Sequence, residues 1–207
     1  MVRTVKTLHA SLDALAEREK AFAKVLDTHG KPEPRHSEPG VETLLRTIVG
    51  QQVSVAAARS MWNKLVAKLG EPIDLKKLLE SSDEELREAG LSRQKAGYAR
   101  SLAGLVLSGE LDLAHLPEDD EDAIAHLVKI KGIGRWSAEI YLLFAEGRAD
   151  IWPAGDLAVQ IQIGKLLGLD GKPTEKQLRE LAERWRPHRG AAAVLAWHSY
   201  NSTGTAL

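Results

Sequence analysis

The residue best placed to do chemistry in this chain is Asp156. It ends the stretch Trp152-Pro153-Ala154-Gly155-Asp156, a sharp rigid turn, and a helical pattern with Leu157, Ile161, Leu166 and Leu167 follows at once. A carboxylate at a helix N-terminus is favoured as an anion by amides that lack intrahelical partners and by the helix dipole. The same placement also reads as a purely structural N-cap. Upstream, Leu127, Val128 and Ile130 close one helical pattern, and Trp136, Ile140, Leu143 and Phe144 open another. Between them lies Lys131-Gly132-Ile133-Gly134. Alternate glycines permit positive φ and keep the backbone bare, so the amides of Gly132 and Gly134 offer an anion such as phosphate a seat ahead of a helix. Lys129, Lys131 and Arg135 add positive charge around it.

Five segments keep a fixed order along the chain: LLRTIVGQQVSVAAA (44–58), LSRQKAGYARSLA (91–103), KGIGRWSA (131–138), WPAGD (152–156) and ERWRPHRGAAAVLAW (183–197). Together they resemble the helix-hairpin-helix DNA glycosylases that carry a Gly/Pro-rich loop and an essential Asp, and within them the alkylbase branch, of the 3-methyladenine DNA glycosylase II type. The resemblance covers roughly residues 40–200. It implies that Asp156 is the essential Asp. Breaking a deoxyribose–base bond develops positive charge on the sugar, which a fixed carboxylate stabilises; the same group can orient or deprotonate the attacking water.

Further roles follow from the resemblance. Trp136 stands where bifunctional relatives carry a Schiff-base lysine, and an indole cannot form that imine, which implies a monofunctional enzyme that leaves an abasic site. Trp136 and Trp197 match aromatic positions of the base pocket, and Trp152 lies in the loop before Asp156. Electron-rich indole faces favour a cationic alkylated purine flipped from the duplex. Large aromatics at helical spacing also simply fill cores; that is the reading for Trp62, and it stays open for Trp152 and Trp185. Gln51 and Gln52 belong to the loop that enters the duplex, the second as its wedge. Lys131, Gly132, Gly134, Arg135 and Ser137 are implied phosphate contacts. The hairpin of the family holds a monovalent cation, Na+ or K+, which maps to the backbone carbonyls of Val128, Ile130 and Ile133; no other cofactor is required.

The implied activity is excision of 3-methyladenine- or 7-methylguanine-type lesions from double-stranded DNA in base excision repair, by a monomer inside the cell. Two other readings fit the same residues. Ile140 replaces a pocket aromatic of some members, which leaves room for a glycosylase of other damaged bases. A non-catalytic DNA-binding module would use the hairpin but need neither Asp156 nor an aromatic pocket.

Bulk properties narrow the field. At 207 residues the chain can bury a substantial core, and the expectation is one compact glycosylase unit over 1–207, with the hairpin and catalytic region at 119–167 and no extra N-terminal β domain. A formal net charge of −1 gives no global nucleic-acid signal, so binding must use a local basic face with few phosphate contacts and a shallow salt dependence. With no cysteine in the chain, disulfides, thiolate nucleophiles, zinc–thiolate sites and the four-cysteine iron–sulfur cluster of some relatives are excluded. The apolar runs at 140–145 and 191–197 are far shorter than the about 18 residues that span a bilayer. The N-terminus lacks a signal-peptide core.

The elements that must position these residues all read as helices. An apolar stripe covers 8–27, a proline-rich connector covers 31–40, and a helix over 41–49 runs into Gly50. Ser54 is an N-cap for a helix to Leu69, ended by Gly70. A short helix covers 75–79. Ser82 to Glu85 and Thr174 to Gln177 are capping boxes, the second opening a helix that runs to Trp185. Ser92 caps a helix to about Ser108, residues 111–119 are a turn-rich link, and the last helix covers 188–200. No stretch alternates as a strand, and no repeat is present. The fold class is all-α with about ten helices, and with the resemblance it becomes two interleaved helical lobes with a central cleft and the hairpin at its edge.

Overall fold

The computed structural model of the protein describes residues 4–203; residues 1–3, part of the stretch read above for a targeting signal, lie outside them. All regular structure among the described residues is helical. In chain order the helices are α1 (Val5–Arg18), α2 (Lys20–His29), α3 (Val41–Gly50), α4 (Val55–Leu69), α5 (Leu75–Glu80), α6 (Asp83–Glu88), α7 (Arg93–Leu107), α8 (Asp120–Leu127), α9 (Arg135–Phe144), α10 (Leu157–Leu166), α11 (Glu175–Ala182) and α12 (Arg189–Ser202), with a 3-10 turn at Glu183–Trp185 before α12. No helix among the described residues is long and apolar enough to cross a membrane.

Local chemistry sets most of these boundaries. Ser54 and Ser92 accept from the amides of Ala57 and Lys95, and both capping boxes form, Ser82 with Glu85 and Thr174 with Gln177. Each such cap contributes about 1 kcal/mol. The stripe over 8–27 departs from expectation: it is two helices, not one. Glu19 breaks it with an extended backbone (φ −133°, ψ 102°) and turns its mostly buried carboxylate onto Arg184 at 2.9 Å. No glycine or proline marks the break, and the apolar spacing runs through it.

The chain groups into two compact units, one made from Met1–Ser37 with Leu142–Leu207 and the other from Glu38–Tyr141. The first is therefore assembled from both ends of the chain and the second from its middle, with the division inside α9. In the first unit α12 is the central element, in contact with α1, α2 and α10. Its run Ala191, Ala192, Ala193, Leu195 and Ala196 is fully buried, as expected of a helix apolar on nearly all sides. Small side chains let neighbours come close: a Cβ on Gly190 would meet the Ala149 carbonyl oxygen at 2.7 Å. Phe22, Trp152 and Trp185 complete this core, with ring centroids 5.0 Å apart for Phe22–Trp185 and 5.4 Å for Trp152–Trp185. In the second unit α3, α4, α5, α6 and α7 pack around Leu44, Ile48, Leu65, Leu86 and Leu102. Trp62 is buried there beneath the Arg46 guanidinium, 3.8 Å from its ring centre, which confirms it as a core residue.

Candidate active site

Asp156 caps α10 as its spacing predicts: Oδ1 accepts from the Val159 amide at 3.0 Å. The structural reading is thus correct, yet it is not the whole arrangement. The indole Nε1 of Trp197, from α12, donates to the same oxygen at 3.1 Å. Two donors from two helices fix the direction of the carboxylate, the precondition for aiming it at a developing charge.

The loop that delivers Asp156 is tied down on several sides. At its start Asp150 accepts from Arg186 Nη1 at 2.6 Å and from Arg189 Nε and Nη2 at 3.0 and 2.9 Å. In its middle Ile151, Trp152 and Ala154 are buried. The Ala154 carbonyl accepts from Gln160 Nε2 at 2.9 Å, and Gln160 Oε1 in turn accepts from Lys172 at 2.9 Å. Gln160 is only 8% exposed, so this polar pair is paid for by being fully hydrogen-bonded. Nothing in the spacing of Gln160 or Lys172 announces that role.

Trp152 is a correction. It is 3% exposed, its Nε1 donates to the Leu178 carbonyl at 3.2 Å, and it stands edge-on to Trp185. Its faces are occupied by core, so it supports the loop instead of lining a base pocket. Trp185 is core as well, at 1% exposure. Trp197 is half-buried and tilts against Phe144 with ring centroids 5.7 Å apart. The two form part of the wall of a cavity of about 340 Å³ in the first unit, a role for Phe144 that helical periodicity alone assigns to the core.

The hairpin lies in the second unit between α8 and α9. Gly132 has φ +84°, and a Cβ there would come within 2.1 Å of the Tyr98 ring. Gly134 adopts no positive φ, and nothing lies within 4 Å of where its Cβ would be. The two glycines therefore serve different ends, one conformation and close packing, the other an open backbone. The Lys131 amide donates to Ser101 Oγ at 3.1 Å, and Ile133 N donates to the Ile130 carbonyl at 3.0 Å. Ile130 and Ile133 are buried beneath the turn while Lys131 is exposed.

Gln51 Nε2 donates to the Gly132 carbonyl at 2.8 Å, so the loop after α3 and the hairpin form one surface. Gln52 is exposed and has φ +53°, which no other described non-glycine residue shares in sign. That backbone costs about 1–2 kcal/mol for a side chain of L chirality and turns the tip of the loop outward. Lys95 anchors the loop's base through its ammonium on the Val49 carbonyl at 2.7 Å, and burial holds it below the usual lysine value.

Arg135 has partners that its position in the hairpin does not reveal. Its guanidinium binds both oxygens of Glu121, and its Nε donates at 2.9 Å to Glu139, which is 2% exposed. Hydrogen bonding to Glu121 and the charges of both carboxylates hold it above the ordinary arginine value despite partial burial. Three of its N–H groups are engaged in this network, while the side chain stays 38% exposed. Sequence spacing shows Glu139 one turn away but hides Glu121, which folds back from α8. Trp136, at 48% exposure, and the partly exposed Ser137 occupy the first turn of α9.

Comparison with known proteins gives a consistent picture. Residues 45–187 match the family described as HhH-GPD superfamily base excision DNA repair protein. A putative DNA-3-methyladenine glycosylase of Bacillus subtilis, YfjP, is 29% identical over 164 residues, which are 75% of this chain and 57% of that protein. The chain thus spans little more than half the length of that relative. The crystal structure of a DNA-3-methyladenine glycosidase from Bacillus halodurans superposes with a TM-score of 0.86 at 27% identity, covering 95% of this chain and 91% of the other. The Schizosaccharomyces pombe 3-methyladenine DNA glycosylase bound to abasic DNA gives 0.76 at 25% identity, covering 95% and 98%.

Proposed function

The chain belongs to the HhH-GPD superfamily of base excision DNA repair proteins, and from that premise we propose that it is a DNA glycosylase that flips alkylated purines out of duplex DNA and hydrolyses their N-glycosidic bond. The observation that carries this reading is the Asp156 carboxylate, which caps α10 by accepting from Val159 N and is oriented by the Trp197 indole. As the base departs, the sugar gains oxocarbenium character, and this oriented anion stabilises it. Water is the nucleophile, positioned or deprotonated by the same group.

The damaged strand is gripped by the bare hairpin backbone at Gly134, with Lys131 beside it, and the outward tip at Gln52 fills the space vacated by the flipped nucleotide. Trp136 cannot form an imine with the opened sugar, so the reaction ends at the abasic site without strand cleavage. Neutral backbone carbonyl oxygens can replace the hydration shell of a monovalent ion. In this reading the carbonyls of Val128, Ile130 and Ile133 would hold Na+ or K+; that of Ile130 also accepts from the Ile133 amide. The protein acts as a monomer, inside the cell where its substrate is.

The test is release of methylated purines from alkylated duplex DNA, read as strand breaks after alkali treatment. Asp156→Asn keeps a competent cap, since Asn and Asp cap helices equally well. It therefore leaves folding intact while lowering release by about 100-fold or more. Release at the wild-type rate in this variant refutes the mechanism.

A further inference from the structure

The cavity of about 340 Å³ in the first unit joins Val194 and Trp197, which belong to a motif, to Glu33, Arg35 and Asn201, which belong to none. Phe144, Val194 and Trp197 make its apolar side, and Glu33, Arg35 and Asn201 stand at its polar rim. Its volume falls in the range of about 300–1,000 Å³ typical of small-molecule sites. Trp197 is at once a wall of this cavity and the indole that donates to Asp156. A flat heterocycle resting there is therefore next to the reacting carboxylate's own support.

Glu33 and Arg35 come from the connector between α2 and α3, which has no regular structure but is pinned at two points. The Pro32 carbonyl lies 3.2 Å from His9 Nε2, and the Ser37 amide donates to the Phe144 carbonyl at 3.1 Å. Between these anchors both charged side chains are exposed, and neither engages a hydrogen-bond or ion-pair partner among the described residues. Asn201 on α12 is in the same condition.

Taking this cavity, walled by Trp197, as the base pocket of the glycosylase reading, we propose that Glu33, from the connector, makes it select for a positively charged purine ring, with Arg35 setting the limit of that preference. The inference rests on the glycosylase reading for its substrate but not for its measurement. An aromatic wall attracts a cationic ring by its quadrupole, and a carboxylate at the rim adds a charge term that a neutral lesion does not feel. Arg35 acts with the opposite sign.

Two measurements test this together. Single-turnover release is compared for 7-methylguanine, cationic in DNA, and hypoxanthine, neutral. Binding of 7,9-dimethyladeninium, a permanent cation, and of neutral 9-methyladenine is followed by tryptophan fluorescence. Glu33→Gln lowers the cation-to-neutral ratio about 3-fold in both, the size of an exposed charge interaction, and Arg35→Gln raises it. Ratios unmoved by Glu33→Gln, or moved the same way by both substitutions, overturn the proposal. Preserved cation binding with no base release from any duplex would instead sink the glycosylase reading alone.

Discussion

Substituting the two hairpin glycines by alanine separates folding from DNA contact. At Gly132 an alanine meets two penalties. With φ at +84° the left-handed backbone costs about 1–2 kcal/mol. Its Cβ would stand 2.1, 2.4 and 2.5 Å from three carbons of the Tyr98 ring, where carbon atoms prefer about 3.5–4.0 Å. Either the hairpin or α7 must shift, an overpacking cost of about 1–3 kcal/mol. Alanine recovers about 0.4–1 kcal/mol through the unfolded chain, so Gly132→Ala destabilises by about 1–5 kcal/mol. At Gly134 neither penalty exists, and stability stays within about 1 kcal/mol of the wild type. The methyl group would nevertheless project where a phosphate approaches the amides. Loss of one charge-assisted hydrogen bond weakens binding by about 10-fold or more. Urea unfolding by tryptophan fluorescence measures the first quantity, and anisotropy with a duplex carrying an abasic-site analogue measures the second. Unchanged affinity in Gly134→Ala refutes the bare-backbone grip, and wild-type stability in Gly132→Ala refutes the packing against Tyr98.

Four further substitutions test other parts of the arrangement. Trp197→Phe keeps a ring on the cavity wall but removes the donor to Asp156; single-turnover release should fall about 10-fold, and an unaltered rate would show that the indole does not orient the carboxylate. Lys131→Ala should reduce the slope of log affinity against log salt by about 1, whereas Arg135→Ala should leave that slope alone and cost about 3 kcal/mol of stability, because Glu139 loses its guanidinium inside the fold. His188 is held below its usual value of 6.5 by burial and by the charge of Arg18. Its protonation therefore favours the unfolded chain: the stability it contributes is complete above that value and is lost as pH falls through the lower folded value. Melting temperatures of His188→Gln between pH 7 and pH 5 should decline less steeply than those of the wild type; parallel curves would assign the acid sensitivity elsewhere.

The sequence disclosed most of what is local. Ser54, Ser92 and Thr174 act over three residues, and each is the cap its spacing predicts. Asp156 was legible for the same reason, since a cap is a short-range bond. What escaped depends on residues far apart in the chain. The engagement of Arg135 needs Glu121 from the preceding helix, and the burial of Trp152 needs Leu178 and Trp185. The cavity rim joins the connector to the end of α12, segments with no common motif. At the break, Glu19 meets a partner equally remote, Arg184 near the other end of the chain.

One indole ring both borders the cavity and donates to Asp156, so under the proposed function recognition and reactivity cannot be retuned independently at position 197. A lineage that exchanges this tryptophan to admit a new lesion forfeits rate in the same step. The proline-rich strap bearing Glu33 carries no such double duty. Drift in substrate range should accordingly accumulate there, and directed evolution toward other damaged bases has most freedom if its mutations are confined to that strap.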